Sequence, residues 1–283
     1  MTMQYQLNDG PLGADVRGVD ISHLTQDGFN FIRQLLYDRG VIVIKTEGMN
    51  EMQQIDFAKR FGELQKIFLE DSLDNRFPEL FIVSNILENG KPIGSTDAGR
   101  FWHTDGAYLS KPHSISMLYA AEVPVVNGKA LGDTSFISMA AAYEALSQEI
   151  KKQIESLRGV HSLHFRYATK SGSVVGAEEL KKKFPPVSHP LAISHPVTGR
   201  RCLYVSEGYT TSIEGKDDIQ GQHILDQLLN HITQPTFSFR HSWSVGDLLI
   251  WDNWATLHLA NFDYALPLRR LMRRATVSGQ SLG

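Results

Sequence analysis

The chain of 283 residues has a single cysteine, Cys202. That excludes an intrachain disulfide and any zinc site built from several thiolates, and it fits a reducing, cytoplasmic setting. No apolar run approaches the roughly 20 residues needed to cross a bilayer. The first ten residues are polar, without the basic segment and apolar core of an export signal. A soluble, unexported protein with no membrane partner is therefore expected. Excess charge of one sign is also missing: 28 Lys and Arg stand against 31 Asp and Glu, a formal net charge of -3. Nothing in that balance draws the chain to nucleic acid. Internal repeats and low-complexity tracts are absent, and the second half lacks the regular strand-helix alternation of a doubly wound parallel sheet.

What is present reads as strands with a few helices outside them. Residues 26–40 carry Phe29, Phe31, Ile32, Leu35 and Leu36 in a helical pattern stopped by Gly40, and Val41 to Ile44 follow as a buried strand. Residues 50–61 form a second predicted helix, 80–83 a strand, and 139–157 a long helix with Tyr143, Leu146, Ile150, Ile154 and Leu157 at apolar positions. Further strands are predicted at 114–121, 134–137, 237–243, 248–251 and 271–278, a hairpin at 191–205 and a helix at 217–230. Two polar, glycine-containing stretches, 88–100 and 169–186, read as mobile lids. One domain over residues 1–283, α+β with a mainly β core arranged as a barrel-like sandwich with helical buttresses, is the expected architecture.

Chemistry is concentrated at His103-Thr104-Asp105. On an extended strand, side chains two apart share a face, so one imidazole nitrogen and one carboxylate oxygen can meet at a point. A distant histidine would complete the two-histidine, one-carboxylate set of non-haem Fe(II) oxygenases, which leaves three coordination positions open. Of the 11 histidines, His258 has the best neighbourhood, since it follows Trp251-Asp252-Asn253 at the end of an apolar strand. His161, His164, His195 and His241 are expected to be hydrogen-bonded or exposed, although His164 and Arg166 are also candidates to reach substrate from the second lid.

Downstream lie Arg269, Arg270, Arg273 and Arg274 around Leu271 and Met272. Strand alternation puts Arg270, Met272 and Arg274 on one face and Arg269, Leu271 and Arg273 on the other. A solvated basic edge strand or a nucleic-acid patch would account for them. If either face is inward, its guanidinium groups must meet anions.

These segments together resemble the taurine and chlorophenoxyacetate dioxygenase (TauD/TfdA) group of Fe(II)/2-oxoglutarate-dependent oxygenases. The matching pieces, in order, are Phe61-Gly62-Glu63-Leu64, Trp102-His103-Thr104-Asp105, Gly132-Asp133-Thr134, Val245-Gly246-Asp247-Leu248 with Trp251-Asp252-Asn253, and His258 through Arg270 to Arg274. The resemblance implies a double-stranded β-helix (jelly roll) with flanking helices, iron held by His103, Asp105 and His258, and 2-oxoglutarate bound by Arg270 and Thr134. It further implies that Arg274 binds the acid group of a small acidic substrate, that Tyr209 and Gly106 border that substrate, and that the chain forms a dimer or tetramer; Trp251, which precedes His258 on the same connection, is expected to pack close to the metal. The implied reaction consumes O2 and 2-oxoglutarate, releases succinate and CO2, and hydroxylates a C–H bond. Asp105 favours oxygenation or desaturation over halogenation, because halogenating relatives lack that carboxylate. Where taurine enzymes have an asparagine just upstream of the motif, Gly99 and Arg100 stand here, which implies a bulkier anion than taurine. Two other readings remain: a zinc-type hydrolase using the same three ligands, and a ligand-binding jelly roll without turnover.

Overall fold

Alternating side chains along a strand serve two faces, and in the central strands of this protein both faces are buried. The computed structural model describes residues 3–66, 76–96, 98–168 and 177–283. In strand Val41–Lys45, Ile42 and Ile44 join Leu248, Ile250 and Met117 in one apolar layer, while Val41 and Val43 join Leu249, Trp251 and Leu118 in another. The first layer is covered by helices Gln26–Arg39 and Glu51–Lys59 through Phe29, Ile32, Leu36, Ile55 and Phe57. Both helices are bounded as their sequences require. Thr25 Oγ1 accepts from the Gly28 amide, Gly40 ends the first at φ 66°, and Asn50 and Gln53 form a reciprocal capping box at the start of the second.

The main sheet has seven strands, in the order Gln4–Leu7, Ala14–Arg17, Val41–Lys45, Asp247–Asp252, Ile115–Glu122, Leu271–Val277 and Leu80–Ser84. Its only parallel pairing is between Ala14–Arg17 and Val41–Lys45. Facing it is a three-stranded antiparallel sheet, Ser238–His241, Thr134–Ser138 and Thr256–Ala260, whose central Phe136 enters the same apolar layer as Trp251 and Met272. The two sheets enclose that layer as a jelly roll, and helices Met139–Glu144 and Asp218–Ile232 share a further apolar cluster with the hairpin Ala192–Ser194/Arg201–Leu203.

Three expectations change. The long helix predicted over 139–157 is two helices, Met139–Glu144 and Gln148–Ile154, because Ser147 adopts an extended backbone and its side chain accepts from the Ile150 amide. A serine offers the chain this cap as an alternative to continuing the helix. The first predicted lid contains paired backbone. Leu87–Glu88 and Lys91–Pro92 pair around Asn89 and Gly90, both at positive φ; Ser95 exchanges hydrogen bonds with Ile82 and Ser84, and the Gly99 carbonyl accepts from Ala260. In the second, residues 169–176 lie outside the described residues, as does the Arg166 side chain, but Ala177–Lys183 is helical and Phe184 stands 5.6 Å from the ring of Tyr108.

The arginine-rich strand is not an edge. It lies between Ile115–Glu122 and Leu80–Ser84, and its faces divide as strand alternation requires. Arg273 turns to the helix side, where it meets Glu51 at 2.5 Å and the Met49 carbonyl over the ring of Tyr119. Met272 and Arg274 face inward, and Arg269 pairs with Glu122 at the surface. That leaves no basic stripe for nucleic acid on this strand. Among the described residues, no helix is long and apolar enough to cross a membrane.

A third sheet, Val187–Pro190, Arg158–His161 and Thr210–Ile213, buries His161 against His189 and Tyr204. Burial, reinforced by the neighbouring His189, pushes the His161 pKa down to about 3. The unfolded chain takes up a proton at this residue below about pH 6.5, while the folded chain does not. The stability so gained is fully present above that value and is lost as pH falls toward the folded pKa. We expect His161→Gln to flatten the fall in thermal unfolding temperature between pH 7 and 4, removing an acid-induced loss of about 3 kcal/mol. Parallel pH profiles for the two proteins would show that His161 contributes nothing to acid sensitivity.

Candidate active site

His103 and His258 are paired through their backbones. The His103 amide donates to the His258 carbonyl at 3.1 Å and the His258 amide donates back at 2.8 Å, forming an isolated antiparallel bridge that extends the three-stranded sheet. Directly paired residues project on the same side, and the two imidazoles stand 4.1 Å apart between centroids. The reason predicted for His103 and Asp105 converging is only partly right. His103 occupies a single bridge and Asp105 already lies in a turn, so no continuous strand carries both. The turn still brings the carboxylate round, with Asp105 Oδ1 3.9 Å from His103 Nε2 and 4.0 Å from His258 Nε2. The three donor atoms lie within 4.8 Å of one another and all three residues are buried.

Each ligand is held by something behind it. His103 Nδ1 is 2.8 Å from the Phe101 carbonyl, which can only accept, so Nδ1 carries a proton and Nε2 is the nitrogen turned toward a metal. His258 is held by packing, 4.8 Å from the ring of Trp251 and stacked on Phe136. Burial and repulsion from His103 hold its pKa well below the usual value, so the imidazole is neutral. Burial alone would raise the Asp105 pKa. The Arg274 guanidinium, with the Ser116 hydroxyl, outweighs it and keeps the carboxyl ionised far below the usual carboxylate range. Two imidazoles and one carboxylate, without a thiolate, suit a divalent iron with open positions.

Arg270 reaches Gly132, two residues before Thr134. Arg270 is 3 % exposed, its Nη2 donates at 3.4 Å to the Gly132 carbonyl, and its Nε is buried without a hydrogen-bond partner. Its guanidinium faces the ring of Tyr264 at 5.6 Å. Burial lowers its pKa, yet an arginine keeps its charge. A buried cation with an unpartnered N–H calls for an anion, and the distal carboxylate of 2-oxoglutarate fits it. Thr134, also buried, opens the next strand and accepts from Trp243 Nε1 at 3.1 Å. A Cβ added at Gly132, where φ is 77°, would come within 2.9 Å of both Arg270 Nε and the Tyr264 ring. Gly132→Ala is therefore expected to weaken 2-oxoglutarate binding with the metal site intact; unchanged co-substrate affinity would separate Gly132 from the arginine.

Arg274 reaches the metal-facing side. Its Nη1 donates to Asp105 Oδ1 at 2.9 Å, its guanidinium lies over Phe81, and its Nε is buried and unpartnered. Tyr209 is packed, as a loop aromatic would be, and is also close to the ligands, 6.1 Å from the His103 ring, 5.9 Å from Phe101 and 5.4 Å from Tyr108. Phe101 lies against Gly208, where a Cβ would come within 1.8 Å of its ring. Gly106 follows the ligands at φ 75°, and a Cβ there would come within 2.7 Å of the imidazole of His113.

The other histidines divide as expected. His195 Nε2 meets Asp252 at 2.7 Å, His241 Nε2 meets Asp247 at 3.0 Å, and His164 is partly exposed on the short helix Leu163–Ala168. Ser116, Asn253, Phe101, Tyr264 and His113 were not singled out as site residues. Trp251-Asp252-Asn253 did carry a signal, an amide side chain directly after a buried strand, but Ser116 is one apolar-strand serine among several.

The family model described as "Taurine catabolism dioxygenase TauD, TfdA family" matches residues 5–276. An alpha-ketoglutarate-dependent 2,4-dichlorophenoxyacetate dioxygenase of Burkholderia sp. (strain RASC) is 37% identical over 254 residues, covering 86% of this chain and 82% of that protein. Pentalenolactone F synthase of Streptomyces arenae is 32% identical over 282 residues, covering 93% and 91% respectively. Among solved structures, that of AAD-2 in complex with Mn(II) and N-oxalylglycine superposes with a TM-score of 0.82 at 31% identity, covering 100% of this chain and 99% of the other.

Proposed function

The chain belongs to the TauD/TfdA family of Fe(II)- and 2-oxoglutarate-dependent dioxygenases, and from that premise we propose that it hydroxylates a C–H bond of a small organic anion whose acid group is held by Arg274. The reading rests chiefly on one observation, the Arg274 guanidinium lying 2.9 Å from Asp105 Oδ1 with its Nε buried and unpartnered. A cation so close to the metal ligands can anchor an acid while the rest of the substrate lies over the metal position.

Fe(II) with 2-oxoglutarate supplies the oxidising chemistry when bound, converting the oxo acid and O2 to succinate and CO2 while oxygen is inserted into the substrate. The chain's own residues set up that chemistry. His103 and His258 offer imidazole nitrogens and Asp105 an ionised oxygen, and Arg270 with Thr134 orients the co-substrate through its far carboxylate. Arg274 fixes the substrate's acid, and Phe101, Tyr108 and Tyr209 give an aromatic wall on the His103 side. A zinc-type hydrolase would have no use for the buried cation of Arg270, so the oxygenase reading accounts for more of the site.

An acid with an apolar or aromatic body suits this wall better than taurine does, and the name of the 2,4-dichlorophenoxyacetate relative supports testing aryloxy acids first. The test is an aerobic screen of aryloxyalkanoates, sulfonates, phosphonates and amino acids for substrate-dependent succinate, with the product identified by mass spectrometry. An aryloxyalkanoate is expected to outpace taurine. Taurine as the best substrate, or equal turnover of uncharged analogues, would contradict the assignment.

A further inference from the structure

A carboxylate can give a metal one oxygen or two, and the choice matters here. Three single-atom ligands leave three of six octahedral positions open. A co-substrate chelating through two atoms and one O2 require all three. If Asp105 bound through both oxygens, one position would be lost.

The structure holds the second oxygen elsewhere. Ser116 Oγ is 2.7 Å from Asp105 Oδ2, and Asn253 Nδ2 is 3.0 Å from Ser116 Oγ. The amide nitrogen can only donate, so the single hydroxyl proton of Ser116 is directed at Asp105. The orientation of the Asn253 amide is itself determined. Its Oδ1 receives the Trp251 indole N–H at 2.9 Å and the Asp105 backbone N–H at 3.3 Å, neither of which could face an NH2 group. Donation therefore runs in one direction, from Trp251 to Asn253 to Ser116 to Asp105 Oδ2. The register fixes the parts, because Ser116 and Trp251 are direct partners on adjacent strands of the main sheet. Ser116, Trp251 and Asn253 are all buried, so no solvent competes for these bonds. Meanwhile Oδ1 lies 3.9 and 4.0 Å from the two Nε2 atoms while also accepting from Arg274 Nη1 at 2.9 Å, so it is the oxygen on the metal-facing side.

We propose that Ser116, oriented by Asn253, is a positioning residue that sets the denticity of Asp105, holding Oδ2 back so that the metal receives Oδ1 alone and the three open positions survive. The inference rests on His103, Asp105 and His258 as the metal ligands, and its test separates the two claims. Co(II) serves as the probe, read by its dissociation constant and its visible absorption, with 2-oxoglutarate then titrated into the Co(II) protein without O2. The variants are Ser116→Ala, which frees Oδ2, and Asn253→Asp, which keeps the volume but takes the hydroxyl proton of Ser116 away from Asp105.

Both variants are expected to bind Co(II), with an absorption spectrum changed from wild type and a 2-oxoglutarate affinity weakened by about 10-fold or more, the scale on which groups behind metal ligands act. Spectra and 2-oxoglutarate affinities matching wild type in both variants would overturn the proposal and leave Ser116 a packing residue. So would loss of Co(II) binding by folded Ser116→Ala, since the hydroxyl would then sustain the site rather than its denticity. Failure of the wild-type protein to bind Co(II) would instead remove the ligand assignment beneath it.

Discussion

His103→Ala and Asp105→Ala each abolish oxygen-dependent succinate formation, by considerably more than the about 10- to 100-fold typical of changes behind a metal ligand. The expectation follows from the donor set. With one of the three removed, two atoms remain to hold the metal, and neighbours are not arranged to replace it. Ser116 is neutral, and among the described residues no other group of three or more metal-ligating side chains is found. Asp105→Ala has a second consequence, because Arg274 Nη1 then loses its partner. The variant should therefore be compared with Asp105→Asn, which keeps the volume but not the charge. Full activity in any of these proteins would refute the triad.

Arg270→Ala raises the 2-oxoglutarate concentration needed for half-maximal rate by about 100-fold or more, the loss of two charge-assisted hydrogen bonds worth roughly 1.5–3 kcal/mol each. Arg274→Ala leaves that requirement nearly unchanged and instead uncouples 2-oxoglutarate consumption from product formation. The two residues sit four positions apart on one chain segment, yet their surroundings differ. Arg270 is sealed beside Tyr264 and Gly132, whereas Arg274 lies against Asp105 and Phe81. Initial rates against each substrate separate the two roles. Equal effects on both substrates would mean that the division of labour is wrong.

Much of the site could be read from residue types and order. His103, Asp105 and His258 are recognisable because few other reactions need two imidazoles and a carboxylate followed by buried arginines, and the alternation within 269–274 separates Arg273 from Arg274 without coordinates. Strand alternation does not account for the His103–Asp105 convergence, since a turn rather than a strand brings the carboxylate round. Local punctuation misled in both directions. Ser147 breaks a helix whose apolar spacing continues through it, and the glycines of 88–100 include those of a hairpin and of close backbone contacts. Ser116 was out of reach for a different reason, because its role depends on the pairing of Trp251 with residue 116, some 135 positions away (251 minus 116). Such register is a property of the assembled sheet.

The central claim is that one buried triad holds Fe(II) and that Arg270 orients 2-oxoglutarate beside it. Its most direct measurement is visible absorption on adding Fe(II) and then 2-oxoglutarate to the protein without O2. A metal-to-ligand band is predicted to saturate at one metal per chain in the wild type, to be absent in Asp105→Ala, and to require much more 2-oxoglutarate in Arg270→Ala. No band at any co-substrate concentration, or the same band in wild type and Asp105→Ala, would contradict it.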